Sequence, residues 1–300
     1  MTGAVSVNGR VTSERDAVVP VFDHGFLYGE GVYEVCRSYR GHIFLLERHL
    51  RRLRQSAQLI ALDVPFADEE LEARIEQTME AAGLLPWHES RGDAYVRLLL
   101  TRGVGELTYD PRACPEPTLV IIARPHTPPP SRAYEEGVPV VVVDVERNRP
   151  AALNPLIKSN NLLNNALAMQ RALAEGAFEA VMRNHEGLVA ECSQSNLFIV
   201  RGQRVITPPL GAGLLAGITR QFVLELCDEL GIPADEADVS PADLTGADEA
   251  FLTSTTREIV PIVRVGNHTI GSGRPGALAR RLMAAFRAHV ETPVAPSRPA

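Results

Sequence analysis

The stretch RPHTPPPSR, residues 124–132, limits the fold more than any other segment of this chain. Proline has no backbone N–H to donate and its ring fixes φ, so three in succession cannot run through a helix or a central strand. They make an extended, semi-rigid spacer. The chain therefore reads as a small N-terminal domain over 1–124, a proline-rich linker over 125–133 and a larger domain over 134–290. The terminal ETPVAPSRPA, 291–300, reads as a disordered tail. With 300 residues and 45% hydrophobic content, there is enough apolar side chain for a core on each side of the linker.

Alternation around Asn8-Gly9 and around Arg40-Gly41 predicts two hairpins near the N-terminus. LERHLRRLRQSAQLIAL predicts a helix with Leu50, Leu53 and Ala57 on one face, and ADEELEARIEQTMEAAGL a second helix, acidic in its first turn. AYVRLLLTRG and TLVIIARP read as strands. Beyond the linker, strands are expected over GVPVVVVDV, EAVMRN, LVAECSQSNLFIV, RVITPP, EAFLTST and EIVPIVRVGNHTIG. Helices are expected over NNLLNNALAMQRALAEGA, TRQFVLELCDELGI and GALARRLMAAFRAHV. Strands cluster instead of alternating strictly with helices, which predicts an α+β protein.

A net charge of -7 argues against nucleic acid or an anionic membrane as partner, and the basic run RHLRRLR reads as part of a helix. The four cysteines, Cys36, Cys114, Cys192 and Cys227, are far apart and show no metal-ligand spacing, so neither a disulfide framework nor a metal is expected. With no signal-like start and no apolar run of membrane-spanning length, a cytoplasmic location is expected.

Of the 30 lysines and arginines, Lys158 is the one lysine. Arginine serves as well as lysine at most exposed sites, but only lysine has a primary amine that can lose its proton and form a Schiff base with a carbonyl. A chain that uses arginine everywhere else and lysine here points to amine chemistry at residue 158; chance survival of one surface lysine is the bland alternative. A Schiff-base lysine serves either a carbonyl substrate or pyridoxal phosphate. The second needs an anion site, a carboxylate for the ring nitrogen and a pocket for the substrate carboxylate. LGAGLLAGITRQFVLEL offers the anion site. Ile218 and Thr219 stand where a glycine-rich loop enters a helix, although Thr219 also reads as an ordinary N-cap. TSTTRE, 253–258, adds hydroxyl donors or is a plain threonine-rich strand end.

DHGFLYGEGVYEVCR, ERHLRRLRQSA, IKSNNLLNN, AECSQSNLFIV, GLLAGITR and TSTTREIVPI follow one another in this order. Together they resemble the class IV aminotransferases, the fold-type IV pyridoxal-phosphate enzymes, over about residues 5 to 290. That resemblance implies a small α/β domain, a larger β-rich pseudo-barrel domain, pyridoxal 5'-phosphate as cofactor and a homodimer. By position it implies that Lys158 carries the cofactor and moves the substrate proton. Glu191 pairs with the ring nitrogen, and Arg52, Ile218, Thr219 and Thr255 hold the phosphate. The resemblance also makes Arg51 and Arg54 the solvated members of their run. Tyr28, Tyr33, Tyr95, Arg97 and Thr256 fall in the substrate pocket.

The implied reaction exchanges an amino group between an amino acid and a 2-oxo acid such as 2-oxoglutarate. AYVRLLL, with Tyr95 and Arg97, resembles the branched-chain enzymes. Val35 and the Lys-Ser-x-Asn-x-Leu pattern at 158–163 resemble the D-amino-acid enzymes. A tyrosine common after the lysine in branched-chain enzymes is replaced by Leu162 and Leu163. The reading places a branched-chain L-amino acid first. A D-amino acid, with (R)-amine activity as its extension, comes second. An aminodeoxychorismate lyase and a non-catalytic binding protein stand further behind.

Overall fold

Asn8 and Gly9 both adopt positive φ, 50° and 86°, as do Arg40 and Gly41, at 51° and 81°. Two central residues with φ > 0 make the turn whose twist matches paired strands. The first turn joins β1 (Ala4–Val7) to β2 (Arg10–Ser13), and the second joins β3 (Gly31–Tyr39) to β4 (His42–Ile43). With β5 (Ala94–Thr101) and β6 (Thr118–Pro125) they build a six-stranded antiparallel sheet in the order β2-β1-β6-β5-β3-β4. The computed structural model describes residues 3–85 and 93–291.

Side chains alternate across a strand, so each face of the β3–β5 pair has its own task. One face buries Val32, Cys36, Val96, Leu98 and Leu100 against α2 (Leu46–Leu59) and α3 (Asp68–Ala81), after a short α1 (His24–Leu27). On α2 the expected Leu50, Leu53 and Ala57 are all buried, each leucine worth about 1.5–3 kcal/mol by apolar transfer. The other face carries Tyr33, Val35, Tyr95 and Arg97, with Val35 directly opposite Arg97.

After β6 the chain runs through 126–131 without strand or α-helix and makes one turn, α4 (Arg132–Glu135). It then enters a nine-stranded sheet that combines β7 (Val138–Val142), β8 (Glu179–Arg183), β9 (Val189–Cys192), β10 (Asn196–Arg201), β11 (Arg204–Thr207), β12 (Ala234–Glu236), β13 (Glu249–Ser254), β14 (Glu258–Val265) and β15 (His268–Thr269). The order is β12-β11-β10-β13-β14-β7-β8-β9, with β15 on β14. Cys192 N–H donates to Ser195 O, so edge strand β9 turns directly into central strand β10 and the sheet curls on itself. Helices α5 (Leu163–Ala174), α6 (Ile218–Glu229), α7 (Pro241–Thr245) and α8 (Ala277–Glu291) cover it. Stacked Phe198 and Phe251 pack beneath α6 and α8 with Phe222 and Phe286.

Three details differ from the sequence reading. LVAECSQSNLFIV is two strands broken at 193–195. The helix expected from Asn160 begins at Leu163, because Ser159 bridges to Val32 and Asn160 N–H donates to Gly31 O. Short α1, α4, α7 and β12 carry too few residues for a periodic signal. Of the tail expected at 291–300, Glu291 closes α8 and the rest lies outside the described residues.

The two sheets are tied by Arg37, which donates at 2.7 Å both to Asp93 and to Glu258 at the head of β14. Glu258 has a positive φ of 59°, unusual for a side-chain-bearing residue; Arg37 and Tyr39 hold its carboxylate in place.

Candidate active site

Lys158 lies where the two sheets meet, and its backbone is fixed three ways. Its carbonyl accepts from Tyr33 N–H at 2.9 Å, its N–H donates to Ser56 Oγ on α2 at 3.1 Å, and its neighbour Ser159 bridges to Val32. A Cβ on Gly31 would lie 2.7 Å from the Leu100 carbonyl of β5 as well as 2.6 Å from Asn160 Nδ2, so glycine is required where β3 is squeezed between β5 and the lysine segment. The amine stands 4.6 Å from the centre of the Tyr33 ring. It faces a cavity of about 600 Å³.

Glu191 on β9 lies in the wall of the same cavity, 5% exposed. Its Oε1 accepts from Arg147 Nε at 2.8 Å; its Oε2 accepts from Leu215 N–H at 3.1 Å and Asn196 Nδ2 at 3.2 Å. Burial pushes this carboxyl above its usual range, and the Arg147 guanidinium works against that rise. A carboxylate has about four acceptor positions, so three donors leave room for one more.

Arg52 is buried, unlike Arg51 and Arg54, which pair with Glu47 and Asp68 at half-exposed or exposed positions. Its Nε and Nη2 donate to the two oxygens of Glu34 at 2.7 and 2.8 Å. Nη1 donates to Ala216 O at 2.9 Å. Burial alone would raise the Glu34 carboxyl, but Arg52 and His49, whose Nδ1 is 2.7 Å away, hold it well below the usual carboxylate range. Arg52 thereby stands beside the first turn of α6. The N-cap there is Gly217 and not Thr219, which is the second helical residue. Gly217 has no side chain to cap the helix, so the amides of Ile218 and Thr219 have no intrahelical acceptor and face the cavity with the positive end of the dipole. A Cβ at Gly217 would meet Asn196 Oδ1 at 1.8 Å, so the residue that braces Glu191 also excludes any larger cap.

Thr255 and Thr256 also line the cavity, as do Tyr33, Tyr95 and Arg97. The Arg97 guanidinium lies 4.2 Å from the Tyr33 ring centre and makes no ion pair among the described residues. Tyr28 is placed elsewhere, against His24 and Tyr109 and away from the cavity lining of its own chain. Thus Lys158, Glu191, Arg52, Ile218, Thr219, Thr255, Thr256, Tyr33, Tyr95 and Arg97 converge on one cavity, and Tyr28 does not. Sequence reasoning passed over Arg147, Asn196, Glu34 and His49. Each acts through a partner distant in sequence or hidden beneath another side chain, and no local spacing marks them.

The donor set fits pyridoxal phosphate. An anchored amine, a buried carboxylate with a free acceptor position, and an arginine beside an open helix N-terminus share one cavity. No group of three or more potential metal ligands occurs among the described residues.

The profile of the amino-transferase class IV family matches residues 31–265. A protein named "Putative branched-chain-amino-acid aminotransferase", of Methanocaldococcus jannaschii, is 39% identical over 283 residues, 94% of this chain and 95% of its own. The D-alanine aminotransferase of Bacillus licheniformis is 34% identical over 283 residues, with the same shares. The branched-chain amino acid aminotransferase of Escherichia coli superposes with a TM-score of 0.91 at 28% identity, covering 99% of this chain and 98% of that one.

Proposed function

The chain belongs to the class IV aminotransferases, enzymes that work with pyridoxal 5'-phosphate, and from that premise we propose that it moves amino groups between a branched-chain L-amino acid and 2-oxoglutarate. The observation that carries the substrate reading is the lone Arg97. It is a cation without an acidic partner among the described residues, set in the cavity among Tyr33, Val35 and Tyr95. A guanidinium fork suits the side-chain carboxylate of glutamate, and the apolar surroundings suit a leucine or valine side chain.

When bound, the cofactor supplies an electron-accepting ring that makes the α-proton of an amino acid acidic. Lys158 Nζ would tether the cofactor and, as a free amine beside the Tyr33 ring, would take up and give back a proton. Glu191, where Arg147 opposes the rise that burial gives its pKa, would accept a hydrogen bond from the protonated ring nitrogen. Arg52, the amides of Ile218 and Thr219, and Thr255 would hold the phosphate. Thr256 and the tyrosines bound the substrate space.

A homodimer belongs to the same reading. Phe22, Phe26, Val104, Leu107 and Tyr109 are exposed on segments that meet beside Tyr28, an apolar surface of the kind that partners cover. A second copy of this chain would bury it and bring Tyr28 toward a neighbouring cavity. No helix among the described residues is long and apolar enough to cross a membrane.

A second reading, a D-amino-acid transaminase, is favoured by Val35, which lines the cavity opposite Arg97, and by Leu163, which is 65% exposed and offers no hydroxyl. The deciding experiment is single-turnover mixing of the holoenzyme with L-leucine, D-alanine and L-glutamate in parallel, followed by visible absorbance. Rapid spectral change with L-leucine and L-glutamate supports the first reading. Change with D-alanine alone overturns it in favour of the second.

A further inference from the structure

The geometry points to Glu179 as a positioning residue that clasps two walls of the cavity together. This carboxylate, at the head of β8, is fully buried and does not touch the cavity. Its four donors come from two segments. From the turn between β9 and β10 come Ser193 Oγ at 3.3 Å, the Gln194 N–H and Ser195 Oγ at 3.0 Å. From the loop after Thr255 and Thr256 comes Arg257 Nη1 at 2.7 Å. Arg257 also reaches from its other nitrogen to Gln194 Oε1 at 2.7 Å, so the two segments are joined twice.

The turn lies between Glu191 and Asn196, which both line the cavity and are hydrogen-bonded to each other. The loop carries Thr255 and Thr256, which also line the cavity. A third wall joins them: Asn165, on the helix that follows Lys158, donates to Ser193 O at 2.8 Å. One carboxylate therefore sets the spacing between the Glu191 wall and the Thr255–Thr256 wall without contacting what lies between. An error of about 1 Å in such a spacing is enough to cost roughly a hundredfold in rate.

Glutamine at 179 has nearly the same shape but cannot serve all four donors. Its amide nitrogen must face either the Gln194 N–H or the Arg257 guanidinium, neither of which can accept a hydrogen bond. The inference rests on the proposed reading that this cavity is the transaminase site, and the experiment separates the two. Parent holoenzyme and Glu179→Gln are compared by kcat and KM for the best amino donor, by pyridoxal-phosphate affinity, by the pH titration of the bound cofactor's visible band, and by thermal melting. The variant is expected to lose about tenfold or more in kcat and to shift the band's titration. Cofactor affinity should fall less than on removal of Arg52, whose contacts with Glu34 and Ala216 lie outside the clasp. A kcat within about twofold of the parent with an unmoved band overturns the proposal, as does a loss that only follows a fallen Tm.

If Glu179→Gln does not fold, the double variant Ser193→Ala/Ser195→Ala removes two donors and leaves the ion pair with Arg257. It is expected to lose about threefold or more in kcat at the parent's Tm, and parent-like kcat overturns the proposal. A parent that moves no amino group from any amino acid refutes the transaminase reading itself. A working parent matched by its variants refutes only the role of Glu179.

Discussion

Nε of Arg147 lies 2.8 Å from Oε1 of Glu191, with both side chains nearly sealed from solvent in the cavity wall. Burial favours the protonated acid, and Arg147 is the nearest charge opposing it. Replacing arginine by methionine keeps bulk and removes the cation. Arg147→Met is therefore expected to push the Glu191 carboxyl further up, favouring its protonated form, and to reduce kcat/KM by roughly two orders of magnitude, close to the effect of Glu191→Gln. The two should not add, because they remove one device. Steady-state kinetics of both single variants and the double variant check this. Additive losses would mean that Arg147 acts on something other than Glu191.

Lys158→Arg tests the amine directly. Arginine keeps the charge beside Tyr33 but cannot form an imine, so the variant should fold, bind the phosphate end of the cofactor and show no turnover. Because the parent has one lysine, borohydride reduction of the holoenzyme followed by peptide mass mapping should place a pyridoxyl group at residue 158 and nowhere else along the chain. A label on the N-terminal amine alone would refute the assignment.

Lys158 was legible in the sequence because the signal was compositional: one amine among arginines needs no structure to be noticed. The hairpins at Asn8-Gly9 and Arg40-Gly41 were legible because positive φ leaves a residue signature. Arg52 was not legible from helix periodicity. Three of the four residues from Arg51 to Arg54 are arginine, and only the fold shows that Arg52 turns inward onto Glu34 while Arg51 and Arg54 find surface acids. Thr219 looked like an N-cap because a hydroxyl at a helix start usually is one. The tight contact between Gly217 and Asn196, distant in sequence, decided otherwise. Glu179 gave no signal at all, since its meaning lies in two loops that come together only in the curled sheet.

Arg52→Ala should weaken retention of the cofactor. It deletes one charge-assisted phosphate donor, worth on the order of 1.5–3 kcal/mol, and strands Glu34 as a buried carboxyl paired only with His49. Colour should be lost on dialysis and return with excess pyridoxal phosphate, and the apo variant should melt below the parent. Unchanged cofactor affinity would move the phosphate site away from Arg52.

His126 provides a test of pH dependence. Its Nε2 is buried without a hydrogen-bond partner, and burial, reinforced by the nearby charge of Arg37, lowers its pKa to about 4 from the ordinary 6.5. Between these values the unfolded chain binds the proton more readily than the folded one, so stability rises with pH. The contribution is fully present above about 6.5 and is lost as pH falls toward about 4. His126→Asn should flatten that part of the stability curve by up to about one proton per molecule, as urea melts at several pH values would show. An identical pH slope in variant and parent would refute the assignment.

Arg97 decides the substrate. On β5 it shares a sheet face with Tyr95 and stands opposite Val35, with its guanidinium over the Tyr33 ring and no acid beside it among the described residues. If that cation receives the side-chain carboxylate of glutamate or 2-oxoglutarate, an apolar donor entering the same space gains nothing from it, because its side chain meets only the apolar walls. Arg97→Leu should then slow the half-reaction with glutamate by about a hundredfold, the scale of a lost charge-assisted contact, and the half-reaction with leucine by about threefold or less. The two half-reactions are measured apart in single-turnover experiments, so product release does not blur the comparison. Equal losses in both would place Arg97 on the α-carboxylate common to all amino acids. No loss in either would remove it from the site, and the preference for a branched-chain L-amino acid paired with 2-oxoglutarate would fall with it.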